Sequence, residues 1–261
     1  MKLKKQRIMK VSWVMLLAML AFVLTACSFG VPKGMKEEPE RGRKQETWQE
    51  EDESGQDEEG QAKKDEGQDL AQGKDQDAEP YERGTVNGNV YESKWLGIRL
   101  SFSEDYVIAT QEEFEHAQET GADLIMSEEA QEKYNEAAAA IMPELMAVCI
   151  SDGGRMNISI AVEKLPLANM TEEQYFMLSK QGMSRNLAEG TEMNFGDTSK
   201  VEIAETTYTK MPITTTVQGI SANVDLYMRV KDGHAVLITI TYLPEQSAQA
   251  EELIGSIQKY E

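Results

Sequence analysis

VDLYMRVKDGHAVLITITY, residues 224–242, consists of two apolar runs joined by Lys231-Asp232-Gly233. Asp-Gly between alternating apolar residues is a strong short-range signal for a β-hairpin, because both turn positions must take positive φ. Val224, Leu226, Met228 and Val230 alternate to one side and are expected to face Val236, Ile238 and Ile240 across the turn. Strands joined by so short a turn must run antiparallel.

The same pattern extends outward. Residues 200–205, 206–212, 213–218, 221–230 and 235–242 read as a strand-rich final third, and Pro244-Glu245 opens a terminal helix with Ala250, Leu253, Ile254 and Ile257 as its apolar stripe. Residues 145–150 and 156–162 form a second hairpin candidate around Asp152-Gly153-Gly154. Residues 97–103 alternate with period two, the mark of a half-buried strand. Asn87-Gly88-Asn89 signals a turn before Val90-Tyr91. Helices are expected at 111–120, at 128–141 (limited by Pro143) and from Thr171 to about Leu187. Thr171 is the N-cap of the last, with Gln174 completing a capping box, and Tyr175, Leu178, Gly182, Met183 and Leu187 fall mainly on one face. Strand pairs joined by tight turns, with helices between them, predict an α+β domain over residues 86–261: a mostly antiparallel sheet sandwiched by helices.

The N-terminus carries a different message. Lys2, Lys4, Lys5, Arg7 and Lys10 precede an apolar run from Val11 to Val23, and Leu24-Thr25-Ala26-Cys27 follows. Charge, apolar core and small-residue exit, in that order, describe a secretory signal peptide over residues 1–26. A run of about 15 residues is short of the roughly 20 that a bilayer-spanning helix needs. The tetrapeptide resembles a bacterial lipobox, which implies cleavage between Ala26 and Cys27 and attachment of fatty acyl chains such as palmitate to Cys27. Two chains hold a protein stably, since each buried methylene contributes about 0.8 kcal/mol.

Residues 27–85 then read as a lipid-anchored, disordered acidic tether. The stretch is dominated by Glu, Asp, Gln, Lys and Gly, with Trp48 and Leu70 nearly its only large apolar residues, so it cannot bury enough surface to offset ordering entropy. As a flexible coil of some 55 residues it spans on the order of 40 Å. The whole chain carries a formal −20, and loss of the five basic leader residues leaves the mature form near −25. That charge argues against nucleic acid, whose phosphates need Lys and Arg, and against adhesion to anionic lipid by charge alone. Lipid on Cys27 is therefore the expected membrane link.

The domain shows no catalytic signature. It has two histidines, His116 and His234; Glu112 and His116 stand one helical turn apart but lack a further ligand at metal-binding spacing. His234 is expected at the rim of the hairpin. No Gly-x-Ser-x-Gly elbow or phosphate-binding glycine loop occurs. No catalytic residue, metal site or cofactor is assigned. With Cys27 lipidated, Cys149 is alone between Val148 and Ile150 and reads as a buried strand hydrophobe. Met126, Met142, Met146, Met156, Met170, Met177, Met183 and Met193 read as core gap fillers.

Tyr91 through Phe102, YESKWLGIRLSF, resembles the opening of PsbP-like domains and related bacterial surface lipoproteins: a short strand, an aromatic-Gly turn, then a second strand. Ser103-Glu104-Asp105-Tyr106 stands where many members carry Pro-x-x-Trp. Residues 224–258 resemble the family's closing hairpin and helix. The resemblance implies an α/β/α sandwich around an antiparallel sheet and a mostly non-enzymatic membership. The metal-linked role of photosynthetic members has no matching ligand motif here.

The expected function is thus that of a non-enzymatic, lipid-anchored extracytoplasmic domain that binds or assists an envelope protein partner, at the membrane of a Gram-positive type envelope, with a Gram-negative envelope as the alternative. The alternatives are an envelope hydrolase or metal-assisted enzyme with an unrecognised site, and a small-ligand-binding lipoprotein.

Overall fold

The structure, a computed structural model, describes residues 79–131, 141–167 and 169–261. Ala26, Cys27, the leader and the acidic segment before Glu79 lie outside these residues, as does most of the helix expected at 128–141.

Turn chemistry sets the centre of the fold. Strands β10 (Ile220–Lys231) and β11 (His234–Tyr242) close on Asp232-Gly233, whose φ values of 48° and 72° are both positive, as a type I′ turn requires. This turn pairs Lys231 with His234, so even-numbered residues of β10 meet odd-numbered residues of β11. Val224, Leu226 and Met228 therefore face Thr241, Thr239 and Leu237. The expected partners, Val236, Ile238 and Ile240, line the opposite face instead. β11 is buried on both sides, so its apolar residues mark no single face.

The sheet grows from this hairpin in both directions. β6 (Asn157–Lys164) pairs with β11 and with β5 (Ile141–Cys149), and β4 (Tyr106–Ile108) pairs with the end of β5. On the other side β9 (Thr206–Val217) pairs with β10, and its outer edge carries β8 (Ser199–Ile203) and β7 (Thr191–Phe195) in succession. Pro212 lies between those two stretches, where neither strand requires an N–H from it. Its carbonyl accepts from the Gly196 N–H at 2.8 Å. The two strands expected on either side of Pro212 are consequently one. Pro143 likewise does not end a helix. β5 already begins at Ile141, and Pro143 sits at a register shift beyond the part of the strand that β4 covers.

A second, four-stranded antiparallel sheet consists of β1 (Thr85–Asn87), β2 (Val90–Ser93), β3 (Ile98–Ser101) and β12 (Gln258–Lys259). In β3, Ile98 and Leu100 are buried while Arg99 and Ser101 are exposed, the half-buried alternation predicted for this stretch. β1, β4, β7 and β12 are short and carry no marked pattern; the sequence reading did not predict them.

Helix α1 (Gln111–Ile125) outlasts its predicted end and starts on a capping box between Thr110 and Glu113. α2 (Glu172–Arg185) starts on the predicted box: the Gln174 N–H donates to Thr171 Oγ1 at 3.2 Å, and the Thr171 N–H donates to Gln174 Oε1 at 2.9 Å. A 3₁₀ turn at Pro244–Gln246 leads into α3 (Ser247–Gly255), and Ile257, expected on its stripe, is buried beyond its end. α1 and α2 pack on one face of the large sheet through Phe114, Ile125, Phe176 and Met183. The small sheet and α3 cover the other through Tyr91, Trp95, Leu100 and Leu253. The domain is α+β, a mostly antiparallel sheet with helices on both sides. Met126, Met146, Met156, Met170 and Met183 are buried in these two clusters, whereas Met177 is exposed.

Replacing Thr171 with Ala removes the acceptor at the start of α2 and is expected to lower stability by about 1 kcal/mol. Urea unfolding of the full chain measures this; an unchanged midpoint would mean that solvent caps α2 equally well.

Candidate functional site

Glu144 sits in the apolar stretch of β5 and is almost completely buried. The register shift between Pro143 and Leu145 turns Glu144 and Leu145 toward the small sheet together. There the carboxylate meets three donors. Tyr91 Oη donates to Oε2 at 2.7 Å, the Gly84 N–H donates to the same oxygen at 2.8 Å, and Tyr81 Oη donates to Oε1. A buried carboxylate needs such partners, since an unpaired charge in the interior is prohibitively costly. Burial, reinforced by the hydrogen bond and negative charge of Glu144, pushes the Tyr81 and Tyr91 hydroxyls above the ordinary tyrosine range. Both therefore remain donors at any physiological pH.

The entering chain is held by a second set of contacts around Trp95, in the turn between β2 and β3. Trp95 Nε1 donates to the Glu79 carbonyl at 3.2 Å. Lys231 Nζ donates to the Trp95 carbonyl at 2.7 Å and lies 4.7 Å from the centre of the Trp95 ring, a cation–π contact. Arg229 donates to the Leu96 carbonyl at 2.8 Å while its guanidinium lies over the Tyr208 ring. Tyr81, Trp95 and His234 form a cluster of rings with centroids 5.2 to 6.1 Å apart. His234 Nδ1 is 2.8 Å from the Asp232 carbonyl; that oxygen can only accept, so Nδ1 carries the proton. Arg83 donates to Gln111 at 2.7 Å, tying the same segment to the start of α1.

These contacts place residues 79–84 within the folded unit, before the boundary at 86 drawn from composition. Chemically the site is a clamp. Each oxygen of Glu144 is engaged, and His234 is a packing ring at the hairpin rim, where the sequence places it. His116 is exposed on α1, as are Glu112 and Glu115 beside it. Among the described residues no group of three or more His, Cys, Asp or Glu side chains is placed to hold a metal ion. Cys149 is buried, with Sγ 3.4 Å from Ser151 Oγ. Ala26 and Cys27 lie outside the described residues. Sequence reasoning missed Tyr81 and Glu144, although a lone carboxylate inside IMPELMAVCI was a visible signal.

A second buried acid, Glu163, lies on the face covered by α2 and accepts from Tyr175 Oη at 2.7 Å. Burial raises its pKa to about 7, against the partial opposing effect of that hydrogen bond.

No family model matches the sequence, and no curated protein matches it. Several solved structures are similar. The solution structure of cyanobacterial PsbP (CyanoP) from Synechocystis aligns with 68% of this chain and 98% of its own, at 8% identity and a TM-score of 0.41. A Bacteroides thetaiotaomicron protein aligns with 67% of this chain and 50% of its own, at 13% identity and a TM-score of 0.37. LpqN of Mycobacterium tuberculosis, involved in cell envelope biogenesis, aligns with 62% and 82% respectively, at 12% identity and a TM-score of 0.36.

Glu144→Ala leaves the buried Tyr91 hydroxyl without its acceptor and releases the half-buried Tyr81 and Gly84 donors, and should destabilise the domain by about 1–3 kcal/mol. Hydrogen exchange at the Gly84 amide should accelerate with it; wild-type protection there would contradict the clamp. For Glu163, a folded pKa of about 7 against 4.5 unfolded means that the native state holds a proton the unfolded chain releases. Its stabilisation is complete below pH 4.5 and is lost as pH rises to about 7, on the order of 3 kcal/mol in all. Glu163→Gln should flatten the stability profile across that window, as followed by urea midpoints at each pH; an unaltered slope would contradict the assignment.

Proposed function

We propose that this chain is a lipid-anchored extracytoplasmic protein whose folded domain is displayed on a tether and binds or assists an envelope protein without performing catalysis itself. The clamp carries the reading. The polypeptide leading from Cys27 enters the domain through Glu79–Gly84, and those residues are fastened to the large sheet by Glu144 and Lys231 and to the β2–β3 turn by Trp95. Load on the tether therefore passes into β5 and β10 rather than peeling off a loose terminus. The lipobox, the acidic segment and this clamp form one consistent series: anchor, spacer, attachment.

The chemistry of the domain supports the non-catalytic part. The most apparent acid–base candidates are spoken for: Glu144 by three donors, His234 by ring packing and the Asp232 carbonyl. Of the exposed large apolar side chains, Val107 and Ile150 lie diagonally across the β4–β5 pair, and Met177 lies apart on α2. The net charge favours a partner that carries complementary basic groups.

Cys27→Ala tests the anchor. The wild-type chain should sediment with membranes, resist a salt wash and enter detergent, while the variant should be recovered mainly outside that fraction. Equal membrane recovery of both would overturn the proposal. Cross-linking on intact cells should trap one predominant envelope protein with the wild type, and high salt during the reaction should weaken the product.

A further inference from the structure

The face of the sheet beneath α1 carries a patch that the clamp does not explain. Asn157 and Ser159 on β6 stand directly opposite Thr241 and Thr239 on β11, so four polar side chains occupy adjoining positions on one face. Cross-strand neighbours of this kind have Cβ atoms about 5 Å apart. All four residues are at least 96% buried. Neither Asn157 Nδ2 nor Oδ1, nor Ser159 Oγ, nor Thr241 Oγ1 reaches a hydrogen-bond partner. Gln118, 6% exposed on the packed face of α1, leaves its Nε2 unpartnered as well. α1 packs against β5, whose Met146 and Val148 are the strand neighbours of Ser159 and Asn157, so Gln118 belongs to the same layer.

Buried donors and acceptors left unpaired are among the costliest defects a core can hold, and native proteins rarely tolerate several together. Here five such atoms belong to this layer, and Thr215 Oγ1, on β9, is a sixth on the same face of the sheet. Both donors and acceptors are present, and none of the five side chains is ionisable. A metal ion or a charged ligand would find no counter-charge among them. A molecule that both donates and accepts, such as water or a small hydroxyl compound, would satisfy them together.

We propose that the layer between α1 and the Asn157–Thr241 pair is an internal binding site for small neutral hydroxyl-bearing molecules, with water as its minimum occupant. The site goes beyond the display role and does not depend on the anchor. Water and a polyol share the chemistry; experiment separates them.

NMR on the full chain in detergent can follow the side-chain amides of Asn157 and Gln118. Cross-relaxation from these amides to long-lived water is the expected result for a hydrated site. If titration with glycerol then removes the water signal and shifts both amides saturably, the occupant is a polyol; if glycerol has no effect, it is water. Absence of any water contact together with no glycerol response would overturn the proposal. Thr241→Val supplies an independent readout. In an occupied site it deletes a hydrogen bond and lowers the unfolding midpoint, with Ser159→Ala acting in the same direction. In a dry site it removes an unpaired hydroxyl and raises the midpoint, which would equally overturn the proposal.

Discussion

Everything in this domain hangs on β11, a strand with no solvent face. Ala235 and Leu237 press into one cluster while Val236, Ile238 and Ile240 press into the other, and all five are nearly or completely buried. Such a strand must be covered on both sides, which requires two further layers. α1 and α2 supply one; the small sheet with α3 supplies the other. The Asp232-Gly233 turn sets which residue of β10 meets which of β11, and a slip of one position would exchange the two faces. Arg229 and Lys231, at the end of β10, then reach the carbonyls of the β2–β3 turn and lock the small sheet onto the large one. The register of one hairpin thus determines where the entering chain is gripped.

Local rules were readable wherever the relevant partners lie close in sequence. The Thr171–Gln174 box, the Asp232-Gly233 turn and the alternation of β3 all involve neighbours, and the structure contains each. Pro212 and Pro143 misled because the cost of a proline depends on whether a strand flanks its missing N–H. That is a property of the sheet edge, invisible in the chain. The reversal at Ala204-Glu205 has positive φ at both residues, yet neither is a glycine or asparagine, so no turn signal announced it.

Functional residues were harder to read for the same reason. The donors to Glu144 come from Tyr81, Gly84 and Tyr91, 53 to 63 positions away, and no local pattern connects them. Composition placed Tyr81 in the tether because its surroundings are polar; its ring packs against Trp95 and His234. Asn157 and Ser159 alternate with isoleucine in a way that marks a half-solvated strand, but that face is covered and both are buried. Period-two alternation distinguishes polar from apolar faces; it does not reveal whether a helix later covers the polar one.

A fastened entry point has a purpose if something pulls on it, and the anchor proposed for that role is Cys27, upstream of the acidic segment. The most direct test is mass spectrometry of the protein isolated from membranes of cells that make it. No peptides from residues 1–26 are expected, and an N-terminal peptide beginning at Cys27 should carry diacylglyceryl. An unmodified Cys27 within a peptide that retains residues from the leader would contradict it.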